Sequence, residues 1–364
     1  MKIGILGTRG IPNAYGGFEQ FAQYLAQGLL KRGHEVYVYN SDNHPYQEKI
    51  WKGIHLIHCK DPEDRIGTAG QFVYDYYCLR DARKRNFDIL LQLGYTSNSI
   101  WHWWWPKGNT VNVVNMDGLE WKRSKYGRLT QRFLHRAEKW AAKYGDVLVA
   151  DSTGIQKYIA KRYGKPSIYI PYGAEIPHDY NDSILTGQGL EPYKYFLLIA
   201  RMEPENNIEM IIKGYLASSQ PFPLIIIGNP ANKFGRYLMQ EYQHEKIRFA
   251  GAIYDQVVVN NLRYYSALYF HGHSVGGTNP SLLEAMACQC NIAAHDNIFN
   301  KTVLTGFASY FSEAQDISTI IDGDTNSALI SGRKQGNIEK IKTLYNWETI
   351  IDQYEQVFKV NAHS

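Results

Sequence analysis

Short apolar runs of strand length alternate with segments of helical period along the whole chain. Residues 2–6 read as a strand and 8–17 as a loop. A helix follows over 18–31, in which Phe21, Leu25, Gly28 and Leu29 recur at three-to-four spacing, and Gly33 supplies a stop before a strand at 35–39. That is one βαβ unit, and it begins a parallel sheet. Further strands are expected at 54–58, 88–93, 111–116, 147–150 and 167–170, with helices over 71–85 and 128–144. The stretch from Pro171 through Pro177 to Pro192 breaks the alternation and reads as a hinge. Strands then resume at 195–200, 223–227, 247–250, 267–271 and 291–294, with helices at 208–216 and 281–287. Residues 295–306 read as a loop with a helix cap, and an amphipathic helix over 347–358 closes the chain. The pattern predicts an α/β protein of two doubly wound domains, 1–170 and 171–344, with helix 345–364 packing back on the first. The carboxyl ends of two such sheets bind ligands, so the site is expected in a cleft where the domains face each other.

The 364 residues, 44% hydrophobic and 20% charged, fit a folded chain of about two domains. No apolar run approaches the roughly 18 residues of a membrane span, and the N-terminus enters a strand without an apolar leader, so neither insertion nor secretion is expected. Cys59, Cys78, Cys288 and Cys290 lack paired metal-ligand spacing and read as reduced, packed thiols. The net charge of +4 is unevenly spread: residues 1–170 hold 25 Lys and Arg against 15 Asp and Glu, the remainder 14 against 20. The basic half is expected to face an anionic partner, which charge alone does not identify.

Three loops could hold chemistry. Gly7-Thr-Arg-Gly10 and Tyr15-Gly16-Gly17-Phe18-Glu19 lie between the first strand and its helix, where glycines admit close backbone approach and the helix start offers N–H groups to an anion or sugar oxygen. Glycines at 4, 7 and 10, and a second strand ending in Tyr39-Asn40 without an acid, depart from the dinucleotide fingerprint. Arg201 leaves the first strand of the second half, where a guanidinium can pair with phosphate oxygens; a surface ion pair with Glu203 or Glu205 is the plainer alternative. In the third loop Gly276, Gly277, Thr278 and Asn279 precede Pro280, a first-turn residue, and Glu284 sits in the helix. A diphosphate would find backbone donors there, and Glu284 could accept from ribose hydroxyls or be only a solvated helix residue.

The series Gly16-Gly17-x-Glu19, Lys31-Arg-Gly33-His34-Glu-Val, Ala200-Arg201 through Glu205-Asn206-Asn207, and Pro280-Ser-Leu-Leu-Glu284-Ala-Met-Ala resembles the retaining glycosyltransferases of family four over nearly the whole chain. Asn115-Met-Asp117-Gly118-Leu-Glu120-Trp121, His273-Ser-Val-Gly-Gly-Thr-Asn-Pro-Ser and His295-Asp296-Asn297-x-Phe299-Asn300 are similar to its bacterial polysaccharide branch of rhamnosyltransferases. The resemblance implies the GT-B fold, two Rossmann-like domains, the first for an acceptor and the second for a nucleotide-sugar donor such as dTDP-rhamnose. It implies Arg201 and Asp117 as catalytic residues, Gly16, Gly17, Arg201, Gly277, Thr278, Asn279 and Glu284 at the donor, and Glu19, Asp117 and Glu120 at the acceptor. Asp117 may equally be read as a cap of the turn at Gly118. The sequence departs from the family at three places. Gly276 stands where a glutamate eight residues before Glu284 is common, Asn206 where a phosphate-binding lysine is usual, and Asp117 where a histidine is often found.

No cofactor and no metal are expected, because the chain has no Asp-x-Asp and no His/Cys cluster of ligand spacing. On the expected helix 128–144, Arg128, Arg132, Arg136, Lys139 and Lys143 share one face, and Leu129, Phe133, Trp140 and Tyr144 share another. With Lys122, Arg123 and Lys125 they form a basic surface suited to an anionic membrane. The run Trp101-His-Trp-Trp-Trp105 suits a sugar, a lipid interface or buried packing. The reading is a cytoplasmic enzyme, peripheral on the inner face of the plasma membrane, acting on a lipid-diphosphate-linked saccharide. A nucleotide-sugar epimerase and a non-catalytic binder of anionic surfaces are the alternatives; nucleic acid is not expected as a partner.

Overall fold

The computed structural model describes residues 1–14, 16–116, 118–123, 126–323 and 327–362. The chain forms two compact units. One holds Met1–Lys122, Tyr126–Tyr172 and the chain from Trp347 onward; the other holds Gly173–Asn346 together with Arg123.

The first unit is built on β1 (Lys2–Leu6), β2 (Glu35–Ser41), β3 (Ile50–Trp51), β4 (Ile54–Cys59), β5 (Ile89–Leu93), β6 (Val111–Asn115), β7 (Val147–Ala150) and β8 (Ile168–Tyr169). Their order is β3-β4-β2-β1-β5-β6-β7-β8, parallel except for β3, which the alternation of apolar residues is too short to announce. Strand β5 is buried along its whole length, and its run Ile-Leu-Leu-Gln-Leu is apolar but for Gln92, whose amide is met by Asn98 and Asn112, as suits a strand covered on both faces. The order reverses between β1 and β5, and the loop leaving β1 lies at that switch point.

Helix Gly17–Lys31 covers this sheet with Phe21, Ala22, Leu25, Ala26 and Leu29. The last helix, Trp347–Ala362, lies on it: Trp347 stacks on Tyr24 at 4.5 Å, and Tyr354 meets Phe21 edge-on at 5.3 Å. Gly28 makes that approach possible, since a β-carbon there would stand 2.3 Å from Ile351 Cδ1. Around the apolar seam Arg32 pairs with Glu348 and Asp352, and His34 Nε2 lies 2.7 Å from Glu355.

The second unit holds β9 (Phe196–Ile199), β10 (Leu224–Ile227), β11 (Ile247–Gly251), β12 (Leu268–His271), β13 (Ile292–His295) and β14 (Ser309–Phe311). All are parallel, in the order β11-β10-β9-β12-β13-β14, so β9 and β12 flank the reversal. Leu198, Ile226, Phe270 and Phe311 from the strands and Ile208, Ile211, Ile212 and Ile317 from the covering helices make its core. Helix Lys233–Glu241 buries only Gly235 and Leu238, and its start is set by Asn232, whose Oδ1 accepts from Gly235 N. Residues expected as a loop after His295 instead form helix Ile298–Leu304, because Asn297 Oδ1 accepts from the N–H groups of both Phe299 and Asn300.

Replacing Gly28 by Val should force the last helix off its seat and lower unfolding free energy by about 1–3 kcal/mol, the usual cost of overpacking. Urea denaturation reads this directly; unchanged stability would show that the seam is loose.

Candidate functional site

The carboxyl ends of β9 and β12 are joined by backbone contacts. Gly272 follows β12 so closely under the loop leaving β9 that a β-carbon on it would lie 2.0 Å from the carbonyl oxygen of Asn206. Asn207, in the left-handed region at φ 50°, donates from Nδ2 to the Gly272 carbonyl at 2.7 Å. Ser274 donates from both N and Oγ to the Glu205 carbonyl, at 3.0 and 2.8 Å. Asn206 is buried and donates from Nδ2 to the Arg201 carbonyl at 2.7 Å. Asn206 therefore braces the loop from within, and Arg201 is left exposed at its mouth. The anticipated ion pair with Glu203 or Glu205 does not form: Arg201 pairs with no carboxylate among the described residues. Arg123 does approach Glu205, with Nη1 3.9 Å from Oε1.

His273 sits between these loops, its ring stacked on that of His271 at 4.4 Å and 16°. Loss of hydration, then the nearby Arg201 and Arg123 guanidinium groups, push its pKa down to about 3. His271, fully buried, is held well below the ordinary histidine value for the same first reason. Both rings are neutral at pH 7. Nothing in the spacing of the sequence singled out this pair; a strand end read as Phe-His-Gly-His offers only the hint that polar residues stand where the sheet meets the loop.

The loop from Gly276 to Asn279 leads into helix Pro280–Ala287. Gly276 has φ +131°, which side chains rarely adopt, so the position where the family carries glutamate is here backbone alone. The donors of the helix start, expected to serve a diphosphate, are in part consumed: Asn279 Oδ1 accepts from Ser281 N, and its carbonyl accepts from Leu282 and Leu283 N. Thr278 is buried. Among the described residues the N–H groups of Val275, Gly276, Gly277 and Asn279 find no hydrogen-bond partner. Glu284 is not a solvated residue: its Oε2 lies 2.6 Å from Nη2 of Arg263, whose side chain is 3% exposed. Burial opposes the Arg263 charge, and Glu284 more than restores it, raising the pKa. Ser281 Oγ lies within 3.3 Å of Arg263 Nη2 and 2.9 Å of Tyr269 Oη.

In the first unit, Gly16 caps helix Gly17–Lys31 through its carbonyl. Glu19, expected at an acceptor, is buried and accepts from Arg9 N at 3.0 Å, so it shapes the loop after β1 instead. Arg9 in turn grips Glu63 with Nε and Nη2 at 3.0 and 2.7 Å. Asp117 lies outside the described residues, as does Lys125. The chain following Asp117 is pinned from below: Tyr95 Oη donates to the Gly118 carbonyl at 3.1 Å, Glu120 N reaches Tyr95 Oη at 3.3 Å, and Trp121 Nε1 donates to Glu138 at 3.0 Å. Glu138 is buried and also accepts from Tyr158 and Tyr163.

Helix Arg128–Tyr144 buries Leu134, Ala137, Glu138, Ala141 and Ala142. The aromatic face is covered from outside by the turn Ser99–Trp104: His102 stacks on Tyr144 at 3.9 Å, and Phe133 meets Phe72 at 5.5 Å. Trp105 is buried, whereas Trp103 and Leu129 remain 51% and 80% exposed. Arg128, Arg132, Arg136, Lys139 and Lys143 all face solvent. Among the described residues no helix is long and apolar enough to cross a membrane, and no three His, Cys, Asp or Glu side chains cluster as metal ligands.

Comparison with known proteins gives two matches in tandem. Residues 1–175 match a domain of unknown function, DUF1972, and residues 186–322 match glycosyl transferases group 1. No curated protein matches the chain. Among solved structures, the sucrose-phosphate synthase of Thermosynechococcus elongatus aligns over 100% of both chains, with 16% identity and a TM-score of 0.82. HepE of Anabaena, in complex with UDP, aligns over 99% of this chain and 100% of its own at 13% identity and a TM-score of 0.77. WaaG, a glycosyltransferase involved in lipopolysaccharide biosynthesis, aligns over 98% and 99% at 14% identity and a TM-score of 0.74. The shared fold is two parallel-sheet, Rossmann-like domains of the GT-B kind.

Because Glu284 is the counter-charge of a buried guanidinium, Glu284→Gln should destabilise the free protein by about 3 kcal/mol, the cost of breaking a buried pair. A melting temperature equal to that of the wild type would show that Arg263 finds its compensation elsewhere.

Proposed function

We propose that the chain, a glycosyltransferase by its group 1 domain and its GT-B fold, moves a sugar from a nucleotide-sugar donor to a lipid-diphosphate-linked saccharide in bacterial surface polysaccharide synthesis. The observation that carries the donor side is Arg201: an exposed guanidinium with no carboxylate partner among the described residues, held at the mouth of the β9 loop, which Ser274 ties to the loop bearing Gly276 and Gly277. Such a constellation is suited to a diphosphate, and HepE, which has the same fold, holds UDP. Glu284, fixed by Arg263, keeps a carboxylate beside this loop for ribose hydroxyls; Thr278 and Asn279 set the loop's shape. Rhamnose, from dTDP-rhamnose, is the sugar that the branch resemblance implies.

In the retaining reaction the acceptor hydroxyl oxygen bonds to the anomeric carbon on the face from which the diphosphate departs. The bond from that carbon to the phosphate oxygen breaks, and the hydroxyl proton passes to the departing oxygen. No pair of buried carboxylates of the glycosidase kind is needed. Arg201 and the backbone donors stabilise the charge that grows on the diphosphate, which makes a resident metal unnecessary. Asp117 orients the acceptor hydroxyl, on a loop steadied by Tyr95 and Glu138; Glu120 lines the same segment, and Gly16 and Gly17 offer their helix start.

The peripheral membrane site is the face of helix Arg128–Tyr144. Five exposed basic side chains, with Trp103 and Leu129 exposed nearby, match an anionic leaflet in which the lipid-linked acceptor resides.

Arg201→Ala should lower turnover about a hundredfold, comparable with loss of one charge-stabilising donor. Normal turnover in this variant would remove Arg201 from the reaction, and product formed without any acceptor would point to an epimerase. The wild type should cosediment with vesicles containing anionic lipid at low salt and dissociate as salt rises, since each basic group contributes about 1 kcal/mol that screening attenuates. The triple change of Arg128, Arg132 and Arg136 to Glu should abolish the binding. Vesicle binding that survives it would place the membrane face elsewhere.

A further inference from the structure

We propose that the imidazole of His273 hydrogen-bonds the diphosphate of the donor beside Arg201, an inference that rests on the nucleotide-sugar reading above. The ring is held in place from several sides. Its own carbonyl accepts from Nδ2 of Asn297 and of Asn300, both at 3.0 Å, and the next residue is tied through N and Oγ to the Glu205 carbonyl. Beneath it lies His271, stacked at 4.4 Å. A side chain so constrained from the backbone outward presents its polar atoms in fixed positions.

Those atoms have no hydrogen-bond partner among the described residues. Nδ1 is fully buried, whereas Nε2 is not, on a residue of intermediate burial. A neutral imidazole has one N–H and one lone pair. Leaving a buried N–H unmet costs more than leaving a buried lone pair unmet, so the proton belongs on Nε2, where solvent or a ligand can take the bond. The pKa pushed down to about 3 keeps the ring in this neutral, singly donating form across the physiological range. A donor N–H beside Arg201 requires an acceptor, and the Arg201 guanidinium, which pairs with no carboxylate among the described residues, is suited to an anion. The oxygens of a diphosphate, which only accept and are charged, answer both demands. A sugar hydroxyl satisfies the first alone.

Two variants test this. His273→Phe keeps a ring to stack on His271 and removes the N–H; His273→Gln restores a donor. Titration calorimetry with UDP and dTDP, and with uridine and thymidine as controls, measures each. His273→Phe should weaken binding of the better diphosphate about tenfold, the value of a hydrogen bond to a charged group, while nucleoside binding changes little. His273→Gln should recover most of the loss. Equal losses for nucleoside and diphosphate, or no loss with Phe, would overturn the proposal. Ring ¹⁵N spectra of the wild type give a second reading independent of the variants' folding: the Nε2 resonance of His273 should move on saturation with the diphosphate, and a resonance that stays put during saturable binding would contradict the contact. Failure of the wild type to bind either diphosphate would instead defeat the nucleotide-sugar reading itself.

Discussion

A side chain's first carbon has no room at residue 272. The strand end of β12 and the loop after β9 pass so closely that the Asn206 carbonyl occupies the space a β-carbon would need, and four hydrogen bonds among Arg201, Glu205, Asn206, Asn207, Gly272 and Ser274 accompany that approach. Everything assigned to the donor depends on it. The approach turns Asn206 inward as a brace, leaves Arg201 at the rim, and sets His273 beside Arg201. The loop after Ser274 then runs through Gly276 with its open N–H, to Asn279, which starts the helix that bears Glu284. A lysine at 206 would have to reach outward from a buried position, which shows why charge is concentrated on Arg201 in this chain.

The alternation of apolar runs made the two parallel sheets legible, because strands such as β5 and β10 are buried on both faces and need mainly apolar sequence. Short or edge elements were not: β3 has two residues, and β14 follows a helix whose start depends on one cap, Asn297. The final helix was legible as amphipathic, but its seat on Gly28 was not, since a glycine in a helix announces no partner.

The site was legible where one residue type has few uses. Arg201 at a strand end and Gly276 in place of an acid both stood out, and the structure gives the glycine its reason in a φ of +131°. Charged residues have internal partners that the sequence did not show. Glu19 accepts from the Arg9 N–H, and Glu284 is paired with Arg263, twenty-one residues away. Neither partner is visible in local spacing, because β-strand crossovers bring distant segments together. Helix Arg128–Tyr144 shows the same limit: Glu138 is polar by sequence yet buried, its carboxylate met by Tyr158, Tyr163 and Trp121 from other segments.

The central claim is that the carboxyl ends of β9 and β12 form the donor diphosphate site. Amide hydrogen exchange on the intact protein, with and without a saturating nucleoside diphosphate, tests it most directly, since a ligand selective for the native state slows opening where it binds. Slowed exchange should concentrate in residues 201–207 and 272–284. Saturable binding with these segments unchanged, and protection confined to the first unit, would contradict the account.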